Sequence, residues 1–191
     1  MARKGNRKIR LSDQRPPLLG GMLRTARLHL VPYRASMVQS HHVAWLNNHE
    51  NVKYSEQRHL THTVESQHSY LNEFPPGSYI WLIRSLGTFA APPTDLGTIT
   101  AYVDVPNKVA NMGILIDQEH RGQGAAKEAW LRVEEFLKTI GIRKIECGCM
   151  SVNVGMAKLA QAVGLRVEGL RPEHFEWGGR RVAMTHYGKL I

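Results

Sequence analysis

Between His120 and Trp130 the chain reads HRGQGAAKEAW, and the residue types in this stretch suit an anion. Gly122 and Gly124 place no side chain between a phosphate and the backbone. Ala125 and Ala126 keep the following helix start small, and Arg121 adds a positive charge at the mouth. The first N–H groups of a helix have no acceptor within it, and the helix dipole adds to their pull on an anion. The rival phosphate motifs fit poorly. A P-loop needs Gly-Lys-Ser/Thr, which occurs nowhere in the chain, and Lys127 stands where a dinucleotide fingerprint has its third glycine. Taken alone, the turn either holds a phosphate or only joins two elements.

Other residues with chemistry are scattered. Cys147 and Cys149 are the only cysteines. On a strand they share one side, so they cannot build a disulfide framework, and a reducing cytoplasm follows as the expected location. A Cys-x-Cys metal site needs a second pair, and none is present. Neither His41-His42 nor His59 with His62 has matching ligands in sequence, so no metal is expected.

These residues need a scaffold. The chain has 191 residues, 42% of them apolar, which suits one globular domain. No apolar run approaches a membrane span. The net charge is +9, and residues 1–24 carry seven basic residues against one acid, leaving only three positive charges for the rest. We read residues 1–22 as a basic, mobile tail of the kind that touches nucleic acid or another polyanion, and 23–191 as the folded domain.

Periodicity orders the elements. The stretch 23–33 alternates as a strand. A short helix with Val38 and Trp45 on one face follows, ended by Asn-Asn-His. A second helix is capped by Thr63, carries Val64, His68 and Leu71 on one stripe, and stops at Pro75-Pro76-Gly77. Strands at 78–85, 96–105 and 109–117 come next, the last two as a hairpin. The strongest helix runs from 125 to 141, with Ala126, Trp130, Val133, Leu137 and Ile140 on one stripe and Glu128–Arg132 and Glu134–Lys138 as expected ion pairs. A strand, a helix capped by Asn153 and closed by Gly164, and two strands around Gly178-Gly179 complete the chain. The order predicts an α+β fold with a mixed, mostly antiparallel sheet of about seven strands and about four helices.

In that context Arg121, Gly124 and Ala126 resemble the Q/R-x-x-G-x-G/A signature of the GNAT superfamily of acyl-CoA N-acyltransferases. Asn153, Gly164 and Gly169 in NVGMAKLAQAVGLRVEG resemble the same superfamily's N-x-x-(A/S)…GF…EG segment, with Leu165 for the usual Phe, and the segment WLNNHENVKYSEQRHLTHTVESQHSYL resembles the branch that includes ribosomal-protein N-terminal and amino-sugar acetyltransferases. The resemblance covers about 23–190 and implies a splayed fourth and fifth strand with acetyl-CoA between them. It implies that the pantetheine arm pairs with Gly113–Ile116 (Ile114, Leu115 and Ile116 as contacts) and that an N–H near Ile114 holds the thioester oxygen. It further implies that the amides of Arg121, Gly122, Gln123, Gly124, Ala125 and Ala126 bind the pyrophosphate, and that Asn153 reaches the arm.

The sequence departs from the family twice. Asn111 stands where many members carry a glutamate, and Ala160 where many carry a tyrosine acid. The candidate catalytic groups are then Glu56, Asp104, Ser151 and Tyr187, or a water-mediated base. Tyr54, Arg58, His59 and His174 are expected to meet the acceptor. The resemblance implies direct acetyl transfer from acetyl-CoA to a primary amine, without a metal. The acceptor is a nucleotide-linked amino sugar, a nucleobase amine, or a protein N-terminus or lysine, and the protein is a monomer or homodimer. The reading from another class is a catalytically weak nucleic-acid-binding module that uses the tail.

Overall fold

The computed structural model describes residues 21–87 and 92–191, so the expected tail at 1–22 lies almost wholly outside the described residues. Eight strands form one sheet: β1 (Leu23–Arg24), β2 (Leu28–Pro32), β3 (Tyr79–Ser85), β4 (Asp95–Asp104), β5 (Val109–Ile116), β6 (Lys144–Met150), β7 (Arg166–Trp177) and β8 (Arg180–Leu190). Their spatial order is β1-β2-β3-β4-β5-β6-β8-β7. Every neighbouring pair is antiparallel except β5 and β6. The extra strand arises because Thr25, whose hydroxyl accepts from the Leu28 N–H, turns the expected first strand into a small hairpin.

Five helices flank the sheet: α1 (Ser40–Asn47), α2 (His49–Val52), α3 (Val64–Asn72), α4 (Ala125–Thr139) and α5 (Val154–Ala162). The first helix stops at Asn47, where Asn-Asn-His is expected to end it, but the polar loop expected behind it holds the short α2, because the Asn48 side chain accepts from the Glu50 N–H and caps a new turn. Val38 lies before α1 and is not part of its face. Thr63 and Asn153 cap α3 and α5 as their spacing predicts, accepting from the N–H groups of Ser66 and Met156. On α4, Trp130, Val133 and Leu137 are buried as expected, but Ile140 is exposed. The Glu134–Lys138 pair forms at 3.0 Å. The Glu128–Arg132 pair does not: Thr25 and Arg27 capture the Glu128 carboxylate instead.

The two sheet faces carry different cores. Ala110, Met112, Ile116, Ile145 and Cys147 lie in the larger core with Ala129, Trp130, Val133 and Leu137 of α4. Tyr33, Trp45 and Leu82 form a smaller cluster on the other face, with Leu71 and Leu115 against it. Along β5, therefore, even-numbered residues face α4 and odd-numbered residues face α1 and α3, as strand alternation requires. Cys147 and Cys149 are both buried and free, and burial pushes their thiols up to about 12 and about 11. They are inert packing groups at neutral pH.

One feature of the sheet positions the site. β5 and β6 pair only through Val109↔Lys144, Ala110↔Ile145 and Asn111↔Glu146, and their remaining residues splay apart. The result is a wedge with its apex at Asn111–Glu146 and its mouth where both strands end.

Candidate active site

The mouth of the wedge is built from the glycine turn. Gly122 and Gly124 both have left-handed φ, 76° and 82°, a conformation that costs a side-chain-bearing residue about 1–2 kcal/mol. Gly124 caps α4 with no side-chain hydrogen bond, and the first bond of the helix runs from the Glu128 N–H to the Gly124 carbonyl. The N–H groups of Ala125, Ala126 and Lys127 thus have no intrahelical acceptor.

Two arginines brace this turn. Arg27 donates to the Gln123 carbonyl at 3.1 Å and pairs with Glu128. Arg121 donates from Nε to the Ile116 carbonyl (2.9 Å) and from its terminal nitrogens to the Glu50 carbonyl (3.2 Å) and Asn51 Oδ1 (3.0 Å). The expected role of Arg121 as a free positive charge at the mouth is thereby corrected. Its guanidinium is engaged by three acceptors and ties α2 to the end of β5.

The wedge wall also refines the expectation for residues 114–116. The Asp117 N–H bonds to the Leu96 carbonyl at 2.9 Å, and the Gly113 carbonyl accepts from Thr100 Oγ1 at 3.3 Å. Odd-numbered residues of β5 therefore turn their backbone polar groups toward β4, and even-numbered ones turn theirs into the gap. Ile114 presents a free N–H and C=O to the wedge, as expected. Leu115 does not, and the Ile116 carbonyl is already taken by Arg121. Asn153 uses its side-chain oxygen on the Met156 N–H at 3.0 Å, so capping is the role it visibly performs.

On the far side of the wedge the 53–60 loop meets the tip of the β7–β8 hairpin. The Trp177 indole N–H donates to the Lys53 carbonyl at 2.9 Å, and Arg58 donates to the Glu176 carbonyl at 3.2 Å. Tyr54 packs on Trp177 with ring centroids 5.4 Å apart. Tyr54 and Arg58 thus meet the C-terminal hairpin, and Arg58 is also bound to the Ser55 carbonyl and Glu56. His59 is exposed, 3.9 Å from Glu56. His174 is exposed on β7, with β8 between it and β6.

The candidate catalytic groups separate. Asp104 is removed from the site by strand direction. β4 runs opposite to β5, so its last residue pairs with Val109 at the closed end, where it accepts from Asn107. Five residues of strand, roughly 17 Å, separate it from Thr100's neighbour Ile99, the partner of Ile114. Glu56 faces solvent and is ion-paired with Arg58 at 2.8 Å. Ser151 lies just beyond β6 at the mouth, its N–H on the Ala183 carbonyl. Tyr187 pairs with Cys147 beside the apex, and burial raises its phenol above the usual range, so it holds its proton and acts only as a donor. Ala160 is wholly buried in the core, where a tyrosine ring has no room.

Two groups went unnoticed in the sequence. Glu146 is paired with Asn111 at the apex, on the α3-facing side, and among the described residues its carboxylate makes no hydrogen bond or ion pair. His186 pairs with Gly148 on the same face, and its Nε2 is buried without a partner among the described residues. Gly148 permits this arrangement, because a Cβ there would meet the Met184 methyl and come 3.6 Å from the His186 ring. Alternation along LysIleGluCysGly marks these positions only as the outer face of a strand. Their place at the apex depends on where β5 leaves β6.

His41 and His42, without partners in sequence, converge on Asp95 at 3.6 and 3.1 Å. The Gln39 N–H donates to His42 Nδ1, which leaves the proton on Nε2 facing Asp95, and Arg84 grips the same carboxylate through two bonds. The cluster is a self-satisfied ion-pair hub that fastens α1 to the sheet.

A family model described as an acetyltransferase (GNAT) domain matches residues 27–166. No curated protein matches the chain by sequence. Among solved structures, RimL, a ribosomal L7/L12 alpha-N-protein acetyltransferase in complex with coenzyme A, superposes with a TM-score of 0.76 at 16% identity, covering 89% of this chain and 98% of that one. The microcin C7 self-immunity acetyltransferase MccE, in complex with acetyl-CoA and AMP, gives 0.72 at 16% identity over 87% and 94%. Spermidine N-acetyltransferase from Vibrio cholerae, in complex with CoA and spermine, gives 0.73 at 18% identity over 87% and 96%.

Proposed function

We propose that this chain, which belongs to the GNAT acetyltransferase family, moves an acetyl group from acetyl-CoA to a primary amine held on the α3-facing side of the wedge. The observation that supports this reading is the β5–β6 wedge, where pairing stops at Asn111–Glu146 and a glycine-capped helix start follows β5. The amides of Ala125, Ala126 and Lys127 would hold the pyrophosphate, and the Ile114 edge would align the pantetheine arm. The Ile114 N–H would bind the thioester oxygen and then the oxyanion. Tyr187 would return a proton to the departing sulfur.

The acceptor approaches past Tyr54 and Trp177, with Lys53 5.4 Å from the Tyr54 ring and Arg180 5.7 Å from the Trp177 ring. Flat aromatic faces bordered by cations favour an acceptor with a planar, anionic portion, which supports a nucleotide-linked amino sugar or a nucleobase amine over a protein N-terminus or lysine. Among the described residues no helix is long and apolar enough to cross a membrane. We read the protein as cytoplasmic.

The test is calorimetric titration with acetyl-CoA in moderate salt, then turnover with amino sugars, nucleobase amines and peptides. One-to-one saturable binding and acetylation of a nucleotide-linked amine are expected. Absence of binding refutes the cofactor site, and turnover of peptides alone refutes the acceptor class.

The uneven charge of the chain supports a separate role for residues 1–22, docking a polyanionic acceptor or its carrier. Deleting them should abolish nucleic-acid retention and its steep salt dependence, while leaving the acetyl-CoA titration unchanged. Unchanged retention would refute the arm.

A further inference from the structure

We infer that Glu146 is the proton acceptor for the incoming amine, a carboxylate supplied by β6 where the neighbouring β5 position holds Asn111. The inference rests on the acetyl-transfer reading above and names the base within it.

Three observations place Glu146. It pairs with Asn111 in the last rung before the strands part, so it stands at the apex of the wedge, three residues of β5 (~10 Å) below the Ile114 edge that faces the gap. It lies on the face opposite the buried Ile145 and Cys147, which is the face open to an acceptor, with Asn111 exposed beside it. Among the described residues it is without a partner, while Lys144 beside it is ion-paired. Lys144, two residues earlier on the same face, is tied to Glu168 at 2.6 Å. Glu168 folds over Gly188, the residue opposite Glu146 on β8. Across the face, Tyr102 pairs with Asn111 and shares a 2.6 Å hydrogen bond with Tyr70 of α3. The groups facing Glu146 are thus Lys144, Glu168, His186 and Tyr102, and none bonds to it among the described residues.

The proton ledger closes with these residues. An alkylammonium has no lone pair, so one proton must leave before attack. The Glu146 carboxylate takes that proton. The amine lone pair forms the C–N bond, and the tetrahedral adduct collapses as the C–S electrons return to sulfur. The nitrogen then releases its second proton to solvent, and the CoA thiolate takes one from Tyr187, which solvent reprotonates. Glu146 releases its proton to solvent before the next turnover. Adjacent strands are only ~4.8 Å apart, so a carboxylate on β6 reaches the space that one on β5 would serve.

The experiment measures steady-state kinetics of the full chain with an accepted amine across pH, beside the acetyl-CoA titration. Glu146→Gln should lower kcat about 100-fold at neutral pH, reduce the deficit as rising pH supplies free amine, and leave acetyl-CoA affinity unchanged. Adding Asn111→Glu to Glu146→Gln should recover about tenfold, since it returns a carboxylate to the same rung. An intact unaltered enzyme with Glu146→Gln equally active overturns the assignment alone. A deficit equal at every pH and not recovered by Asn111→Glu overturns it too, marking a structural role. So does a loss carried by His186→Gln in place of Glu146→Gln. If the unaltered enzyme binds acetyl-CoA but acetylates no amine, the acetyl-transfer reading falls and takes this assignment with it.

Discussion

Gly124→Glu should weaken acetyl-CoA binding by at least about 100-fold, the largest functional effect expected from one substitution. A negative charge would sit at the helix start where the proposed site brings the pyrophosphate to the amides of Ala125, Ala126 and Lys127. Losing both the dipole-assisted bonds and the open approach costs a few kcal/mol, and each 1.4 kcal/mol is a factor of ten. The φ of 82° complicates the result. Any non-glycine residue there is strained by about 1–2 kcal/mol, so some stability is lost as well. Arg27 lies 3.3 Å from where the new Cβ would stand and draws the carboxylate toward itself. Gly124→Ala separates the effects. It carries the same strain without charge, and should keep most of the affinity while melting at the same temperature as Gly124→Glu. Equal affinity in Gly124→Glu and the unaltered chain, by calorimetry, would remove the turn from the cofactor site.

The largest stability effect belongs to Asp95→Asn. The carboxylate holds His42 of α1, Arg84 of β3 and the exposed His41 at once. Burial opposes its ionisation, but the hydrogen bonds from His42 and Arg84 outweigh it and hold the acid well below the usual carboxylate range. Asp95→Asn removes the charge and turns one of the two acceptor oxygens that Arg84 and His42 share into a donor, at a cost of about 2–3 kcal/mol because Arg84 is partly solvated. The pH dependence has a definite sign. A depressed folded pKa gives stability that is fully present above the unfolded value near 4 and is lost as pH falls toward the folded value. Urea unfolding should therefore show a wide gap between variant and unaltered chain at pH 7, narrowing from about pH 4 downward. A gap that persists unchanged into acid would mean that packing, not charge, holds α1. The hub also bears on the site, because α1 leads into α2, and α2 supplies the Asn51 and Glu50 acceptors that fix Arg121 behind the glycine turn.

Local physics made much of this protein legible before any fold was known. Alternation set β3, β4 and β6, and the helical stripe through Trp130, Val133 and Leu137 set α4, because burial of one face has a fixed period. Caps at Thr63 and Asn153 were readable for a similar reason, since a cap bonds only three residues away. The turn at Gly122–Gly124 and its helix form one contiguous stretch, so the proposed cofactor end of the site was readable too.

The acceptor end was decided by partners far apart in sequence. Asp104 looked available until strand direction put it at the closed end of β4 and β5. Arg121 and Arg58 looked like free charges until carbonyls from α2 and β7 occupied them. His41 and His42 gained a partner 53 residues away. Glu146 and His186 gained meaning only when three rungs of pairing ended and the strands parted. Sequence periodicity tells which way a side chain points from its own backbone. It carries no information on which strand lies alongside or where pairing stops, since many long-range contacts acting together fix those, and the base and the acceptor walls are made of them.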